Sequence, residues 1–298
     1  MFWGSATAER RKKLMPFFWS TIARHGQLYG NRELGNKMNV KNKYRFSYPG
    51  YNEIFTGYPD SLINTNDFPP NPNENVLEFI NKQQGFKNKV SVFASWDAYY
   101  RILNSDRSEI YLNAGWSQVT DMALNETEQT LNEQQAYLPR IFGSTERLDA
   151  STFFLAKEHI KKKHPRVFYL ALIDTDAFGH QGQYDLYLNA AHNADAMIND
   201  LWTFIQNDPF YKDKTTLIVT TDHGRGEREQ WTRHYSDVQY SDEIWLAVLG
   251  PDTKPLGEVK TEDQLYQQQI AATISSFLGL KFTSKHGIGK PIESAINK

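Results

Sequence analysis

Apolar and polar positions along this chain switch between a helical period and short unbroken apolar runs, and the switches outline the elements. Residues 9–24 place Leu14, Phe17, Phe18 and Ile22 on one face, with Gly26 as a terminator, which predicts an amphipathic helix. Residues 27–46 are rich in Asn, Gly and Lys with scattered apolar positions, which predicts short strands and loops. Residues 47–57 open Ser-Tyr-Pro-Gly and close Thr-Gly, the pattern of a short capped helix. Three Pro and five Asn between Asn64 and Asn75 mark a surface loop. A helix beginning at Val76, a strand at Val90–Ala94 and a helix over 150–163 follow, and the polar stretch 116–145 reads as a helical cap insertion. Val167–Ile173 is an apolar run and Thr216–Thr221 a β-branched apolar run, both of buried-strand type. Between them Tyr184, Leu188, Ala191, Ile198, Leu201 and Ile205 fall at helical spacing. Strand, helix, strand predicts a crossover that makes the two strands parallel and brings their carboxyl ends to one sheet edge. A buried strand at Ile244–Leu249 and a helix over 263–278, with Tyr266, Ile270, Ile274 and Phe277 inward, complete one α/β domain over residues 1–298.

Chemistry collects where the two central strands end. Thr216–Thr221 runs into Asp222-His223-Gly224, and Val167–Ile173 runs into Asp174-Thr175-Asp176-Ala177-Phe178-Gly179-His180. Carboxyl ends of strands are where open α/β sheets bind ligands, so a carboxylate and an imidazole at each end predict a metal-centred hydrolase. Such a site needs an oxygen nucleophile, and Ser47 is the candidate. With Pro49 close behind it, Ser47 is expected at a helix N-cap, where free amides and the dipole favour an alkoxide or a phosphate. A purely structural cap is the competing reading.

Composition narrows the metal and the partners. The 298 residues include no cysteine, so the ligands must be imidazole and carboxylate, which suits zinc or manganese. A net charge of −2 argues against a nucleic-acid surface or a polybasic membrane patch. Lys161-Lys162-Lys163 reads as a solvated helix C-terminus. No apolar run approaches the roughly 18 residues of a membrane span. Met1–Ser5, followed by Arg10-Arg11-Lys12-Lys13, does not read as a signal peptide. The expected location is periplasmic or secreted if the full-length gene carries a signal peptide, and cytoplasmic otherwise. The aromatic content of 14% serves cores and pockets alike.

Ser47-Tyr48-Pro49-Gly50-Tyr51-Asn52-Glu53-Ile54-Phe55-Thr56-Gly57 resembles the nucleophile segment of the alkaline phosphatase superfamily, especially its nucleotide pyrophosphatase/phosphodiesterase branch. Asp176-x-x-x-His180 and Asp222-His223-Gly224 look like the later metal motifs of that branch, in the right order. The resemblance covers residues 47 to about 250 and implies a three-layer sandwich with a mostly parallel central sheet. It implies two divalent metals, most readily zinc, one held by Asp176, His180 and a third histidine, the other by Asp222 and His223. His234 and His286 are the choices for the third histidine, and the resemblance favours His234, which lies just before the Ile244 strand. His25, His159, His164 and His192 read as structural. Ser47 would form a covalent phosphoserine, and Asn64 or Asn66 would donate to a phosphoryl oxygen of a small phosphorylated substrate.

One departure bears on the second metal. The family's first strand ends in Asp-Gly, and no such strand precedes Ser47. The expectation is a truncated form, or a substitute carboxylate from Asp60 or Asp67, with weak second-metal binding. Rival readings are a phosphoglycerate mutase-type isomerase and an inactive metal-binding relic of the superfamily. A sulfatase is disfavoured, because Tyr51 stands where those enzymes need Arg.

Overall fold

The computed structural model describes residues 8–121 and 123–297, so the reading of Met1–Ser5 lies outside the described residues. Its strands are β1 Gln27–Tyr29, β2 Lys37–Asn39, β3 Val90–Ala94, β4 Tyr111–Ala114, β5 Val167–Ala171, β6 Leu217–Thr220, β7 Leu246–Leu249, β8 Gly257–Glu258 and β9 Gln264–Tyr266. The helices used below are α1 Ala8–Leu14, α2 Ser47–Thr56, α3 Asp149–Lys163, α4 Asp174–His180, α5 Tyr184–Asn207 and α6 Ile270–Phe277. The chain divides into two compact units, residues 1–66 with 179–298, and residues 67–178.

The first unit is built on the sheet β6-β7-β1-β8, in which β7 runs antiparallel to β6 and β1 while β8 is parallel to β1. β1 and β7 have partners on both edges and are buried throughout, which suits the apolar run of β7. Phe18, Ile22, Leu28, Ala247 and Leu249 form the core on one side, with Ile198 and Trp202 of α5 packed against them. A separate parallel pair joins β2 to β9. The second unit is built on the all-parallel sheet β4-β3-β5, whose central strand β3 is buried along its length. Phe93 of β3 packs there with Leu155 and Ala156 of α3.

Several expectations need correcting. β5 pairs with β3 in the second unit, and β6 pairs with β7 in the first. Both are half-buried along most of their length rather than buried. An apolar run shows that a strand wants a core, but its hydrogen-bond partner comes from elsewhere in the chain, and the run does not name it. The helix expected over 9–24 is broken at Met15, just before Pro16, which has no N–H to continue it and opens the next helical segment. It resumes as a π-helical turn at Phe18–Ile22, started by the buried Asp195 carboxylate of α5, which accepts the Phe17 and Phe18 N–H groups at 2.8 and 2.7 Å. The helix expected over 263–278 begins as strand β9, and its α-helical part is α6. Pairing of Leu265 with Met38 decides that conformation, a contact far away in sequence.

Candidate metal centre

α2 presents Ser47 at its start, though not as its N-cap. Phe46 takes the extended cap conformation, with φ −143° and ψ 175°, and Ser47 is the first helical residue. Asn66 does the capping, since its Oδ1 accepts the Tyr48 N–H at 2.9 Å. Pro49 fits the first turn because no N–H is needed there. With that turn held by Asn66, the Ser47 hydroxyl is turned elsewhere: its Oγ lies 3.5 Å from His223 Nε2. Gly50 makes this approach possible, because a Cβ at that position would sit 2.3 Å from the Asp222 carbonyl oxygen.

β6 delivers the segment that carries Asp222 and His223. Gln267 Nε2 donates to the Thr221 and Asp222 carbonyls at 3.1 and 2.7 Å, and the Gly224 N–H donates to the Ser241 carbonyl at 2.8 Å. His223 is buried, and its Nδ1 lies 2.8 Å from the Gly224 carbonyl. A carbonyl can only accept, so Nδ1 carries the proton and the Nε2 lone pair faces Ser47 and Asp222 Oδ2, the latter at 3.4 Å. His234 is fixed in the same tautomer by a 3.0 Å contact from Nδ1 to the Arg45 carbonyl. Its Nε2 lies 2.8 Å from His180 Nε2, and its ring stacks on His223 with centroids 3.9 Å apart.

Three imidazoles therefore converge, two of them with Nε2 held open by a backbone acceptor behind the ring. Backbone orientation of this kind is what metal-ligating histidines ordinarily have. The donor nitrogens of His223 and His234 lie within 4.8 Å of each other. A tetrahedral zinc would hold two nitrogens about 3.4 Å apart, so His180 and His234 would separate by roughly half an ångström to admit one. The residues fit a divalent cation. Asp176 lies one helical turn before His180 on α4, so both project from one helix face.

Other expected residues fall differently. His286 stacks flat on Tyr58, with centroids 4.3 Å apart. Asn64 is exposed, and Asp60 closes its own turn by accepting the Leu62 N–H. Asp67 is exposed and belongs to the second unit. His159, read as structural, is buried against Ser91 Oγ and Tyr111, and burial lowers its pKa to about 4.

Asp149 went unread in the sequence. Fully buried at the start of α3, it accepts Ser95 Oγ and the Ile173 N–H at 2.7 Å and the Asp174 N–H at 3.0 Å, which anchors the start of α4. Asp174 returns a contact to the Asp149 N–H, and burial pushes both carboxyls above the ordinary carboxylate range. An acidic residue opening a helix looks like an ordinary first-turn carboxylate, so nothing in its neighbours singled it out.

A family model described as the Metalloenzyme superfamily matches residues 118–282, more than half of the chain. The chain belongs to the metalloenzyme superfamily. Solved structures agree at the level of fold, which is alkaline phosphatase-like. Against this metalloenzyme, the wild-type alkaline phosphatase PafA is 12% identical with a TM-score of 0.68, covering 96% of each chain. The lipoteichoic acid synthase LtaP from Listeria monocytogenes is 12% identical with a TM-score of 0.61, covering 95% of this chain and 70% of its own. The phosphonate monoester hydrolase of Agrobacterium radiobacter is 13% identical with a TM-score of 0.61, covering 95% and 72%. Among curated proteins none matches in sequence.

Proposed function

We propose that this metalloenzyme hydrolyses phosphoric esters through a covalent phosphoserine at Ser47. The observation that carries the reading is the Ser47 hydroxyl at the start of α2, 3.5 Å from His223 Nε2, beside the paired His180 and His234. Asp176, His180 and His234 would hold one divalent metal, most readily zinc, and Asp222 with His223 a second. When bound, such ions supply positive charge that lowers the pKa of a nearby hydroxyl and draws electron density from phosphoryl oxygens.

The chain's own residues do the rest. The α2 N-terminus faces Ser47 with its dipole, which favours the serine as an alkoxide. Ser47 Oγ then attacks phosphorus, a P–O bond to the leaving group breaks, and the departing alcohol takes up a proton. Water attacks the phosphoserine in the second half and returns the serine. Asn66 holds the first turn of α2 through its Oδ1, and its Nδ2 is the group we assign to a phosphoryl oxygen. Arg225 packs its guanidinium over Gly179, next to His180, and gives the site a cation suited to an anionic ester.

The test is hydrolysis of p-nitrophenyl phosphate, bis(p-nitrophenyl) phosphate and p-nitrophenyl sulfate, with zinc or manganese added, by wild type and Ser47→Ala. The expected result is turnover of a phosphoric ester that falls at least a thousandfold in Ser47→Ala, with phosphate trapped on the Ser47 peptide by acid quench and mass spectrometry. Undiminished turnover in Ser47→Ala would exclude the covalent route, and turnover of the sulfate alone would overturn the substrate class.

A further inference from the structure

Two residues with side chains hold left-handed backbone at this site, and they are bonded to each other. Arg45, two residues before Ser47, has φ 58°, and Tyr235, directly after His234, has φ 100°. That region is unfavourable for any residue with a Cβ, and glycine or asparagine is the usual occupant. Backbone held there against preference is over-determined by its surroundings and concentrates at functional sites.

The surroundings are specific. One carbonyl, that of Arg45, accepts both the His234 Nδ1–H at 3.0 Å and the Tyr235 N–H at 3.3 Å. Arg45 is held on its chain side by Asn42, whose Oδ1 accepts the Tyr44 and Arg45 N–H groups at 3.2 and 2.8 Å. Asn42 is in turn gripped by the buried Glu53 carboxylate of α2, through its backbone N–H at 2.8 Å and its side-chain amide at 3.0 Å. Tyr235 is held by Ser241, whose Oγ donates to the Tyr235 carbonyl at 2.6 Å. The Ser241 carbonyl is the acceptor for Gly224, the residue after His223. The Arg45 guanidinium closes the loop, 3.4 Å from Asp242 Oδ1 and 3.5 Å from Ser241 Oγ. Above this, the Tyr235 ring stacks on His234 with centroids 4.4 Å apart and leans on Phe46 at 5.6 Å, although it is 40% exposed.

We infer that Arg45 and Tyr235 are positioning residues, a strained clasp that fixes the His234 tautomer and ties the loop leading into Ser47 to the loop carrying His234. The left-handed turn at Arg45 aims its carbonyl at the imidazole, and the turn at Tyr235 brings its ring back over the same imidazole. A mere change of chain direction at either place would be served better by glycine. The inference rests on the proposed role of His234 as a ligand, but the tautomer half of it needs neither metal nor substrate.

The experiment uses the full chain with 15N-labelled histidine, in wild type and in Tyr235→Gly, Tyr235→Phe and Arg45→Gly. In the metal-free protein, His234 is expected as a single Nδ1–H tautomer by NMR in wild type and Tyr235→Phe. Tyr235→Gly and Arg45→Gly should show mixed tautomers. With zinc as the probe, both glycine variants should lose tenfold or more in affinity and lower kcat at unchanged KM. Tyr235→Gly should meanwhile melt no lower than wild type, because the strain is gone. A Tyr235→Gly protein with the wild-type tautomer and zinc affinity would overturn the clasp. Should Tyr235→Gly fail to fold, Tyr235→Asn carries the same expectations, since asparagine tolerates left-handed backbone. A wild type with no zinc binding and no esterase activity would defeat the proposed function, while the tautomer comparison would still decide the clasp.

Discussion

Gly50 shows how much rests on one hydrogen in place of a methyl group. Gly50→Ala would put a Cβ 2.3 Å from the Asp222 carbonyl oxygen, on backbone that cannot swing aside as a side chain could. We expect a loss of about 1–3 kcal/mol from overpacking, and at least a tenfold loss of turnover as Asp222-His223 shifts away from Ser47. A melting temperature and kcat equal to wild type would show that α2 can slide without consequence. His159 gives a second prediction at this scale. Its folded pKa of about 4 lies below the ordinary histidine value, so between about pH 4 and 6.5 the unfolded chain binds the extra proton. His159 therefore favours folding above that window and loses its contribution as pH falls through it. Against His159→Gln, the stability advantage of wild type should shrink from pH 7 to pH 4.5 in urea titrations, and an advantage that grew would contradict the burial. The candidate metal-binding side chains could be named at this scale because few side chain types can hold a metal without cysteine. Asp149, Arg45 and Tyr235 were not, since their roles depend on which backbone group faces them.

The elements near the site take their limits from contacts as much as from propensity. One helical segment ends at Leu14, ahead of Pro16, and Asp195, from a helix far along the chain, holds the start of the next. Asp195→Ala removes the acceptor from two N–H groups and should destabilise by about 1–3 kcal/mol in urea, with Asp195→Asn falling between the two. An unchanged midpoint for Asp195→Ala would show that water replaces the carboxylate. Helix 47–57 was legible, with its closing Gly57 at φ 68°, because Thr-Gly is a strong stop signal. Its start was misjudged by one residue, because Asn66 supplies the cap from outside the segment. β9 was misread as helix for the same kind of reason, its partner β2 lying more than 200 positions earlier.

For the molecule as a whole the decisive measurement is metal stoichiometry. On the proposed assignment Asp176, His180 and His234 would give three protein ligands, the number usual for a catalytic zinc, whereas Asp222 and His223 would give two. We expect calorimetry to show one tight and one weak zinc site. Zinc at about a hundred times its dissociation constant should stabilise the fold by about 2.7 kcal/mol, seen as a rise in melting temperature that a chelator reverses. Two equally tight sites would mean that another residue supplies the missing donor.

The sequence by itself determined the candidate chemical groups: a cysteine-free chain whose apolar runs lead into Asp176-x-x-x-His180 and Asp222-His223-Gly224, with Ser47 opening a short helix. Those features are local, since hydrophobic period and residue type survive being written in one line. Only the tertiary structure decided that β5 pairs with β3 and β6 with β7, that Asn66 rather than Ser47 caps α2, and that the Arg45 carbonyl meets His234. Each of these is a hydrogen bond between segments far apart in the chain, and no pattern within one segment specifies its partner in another.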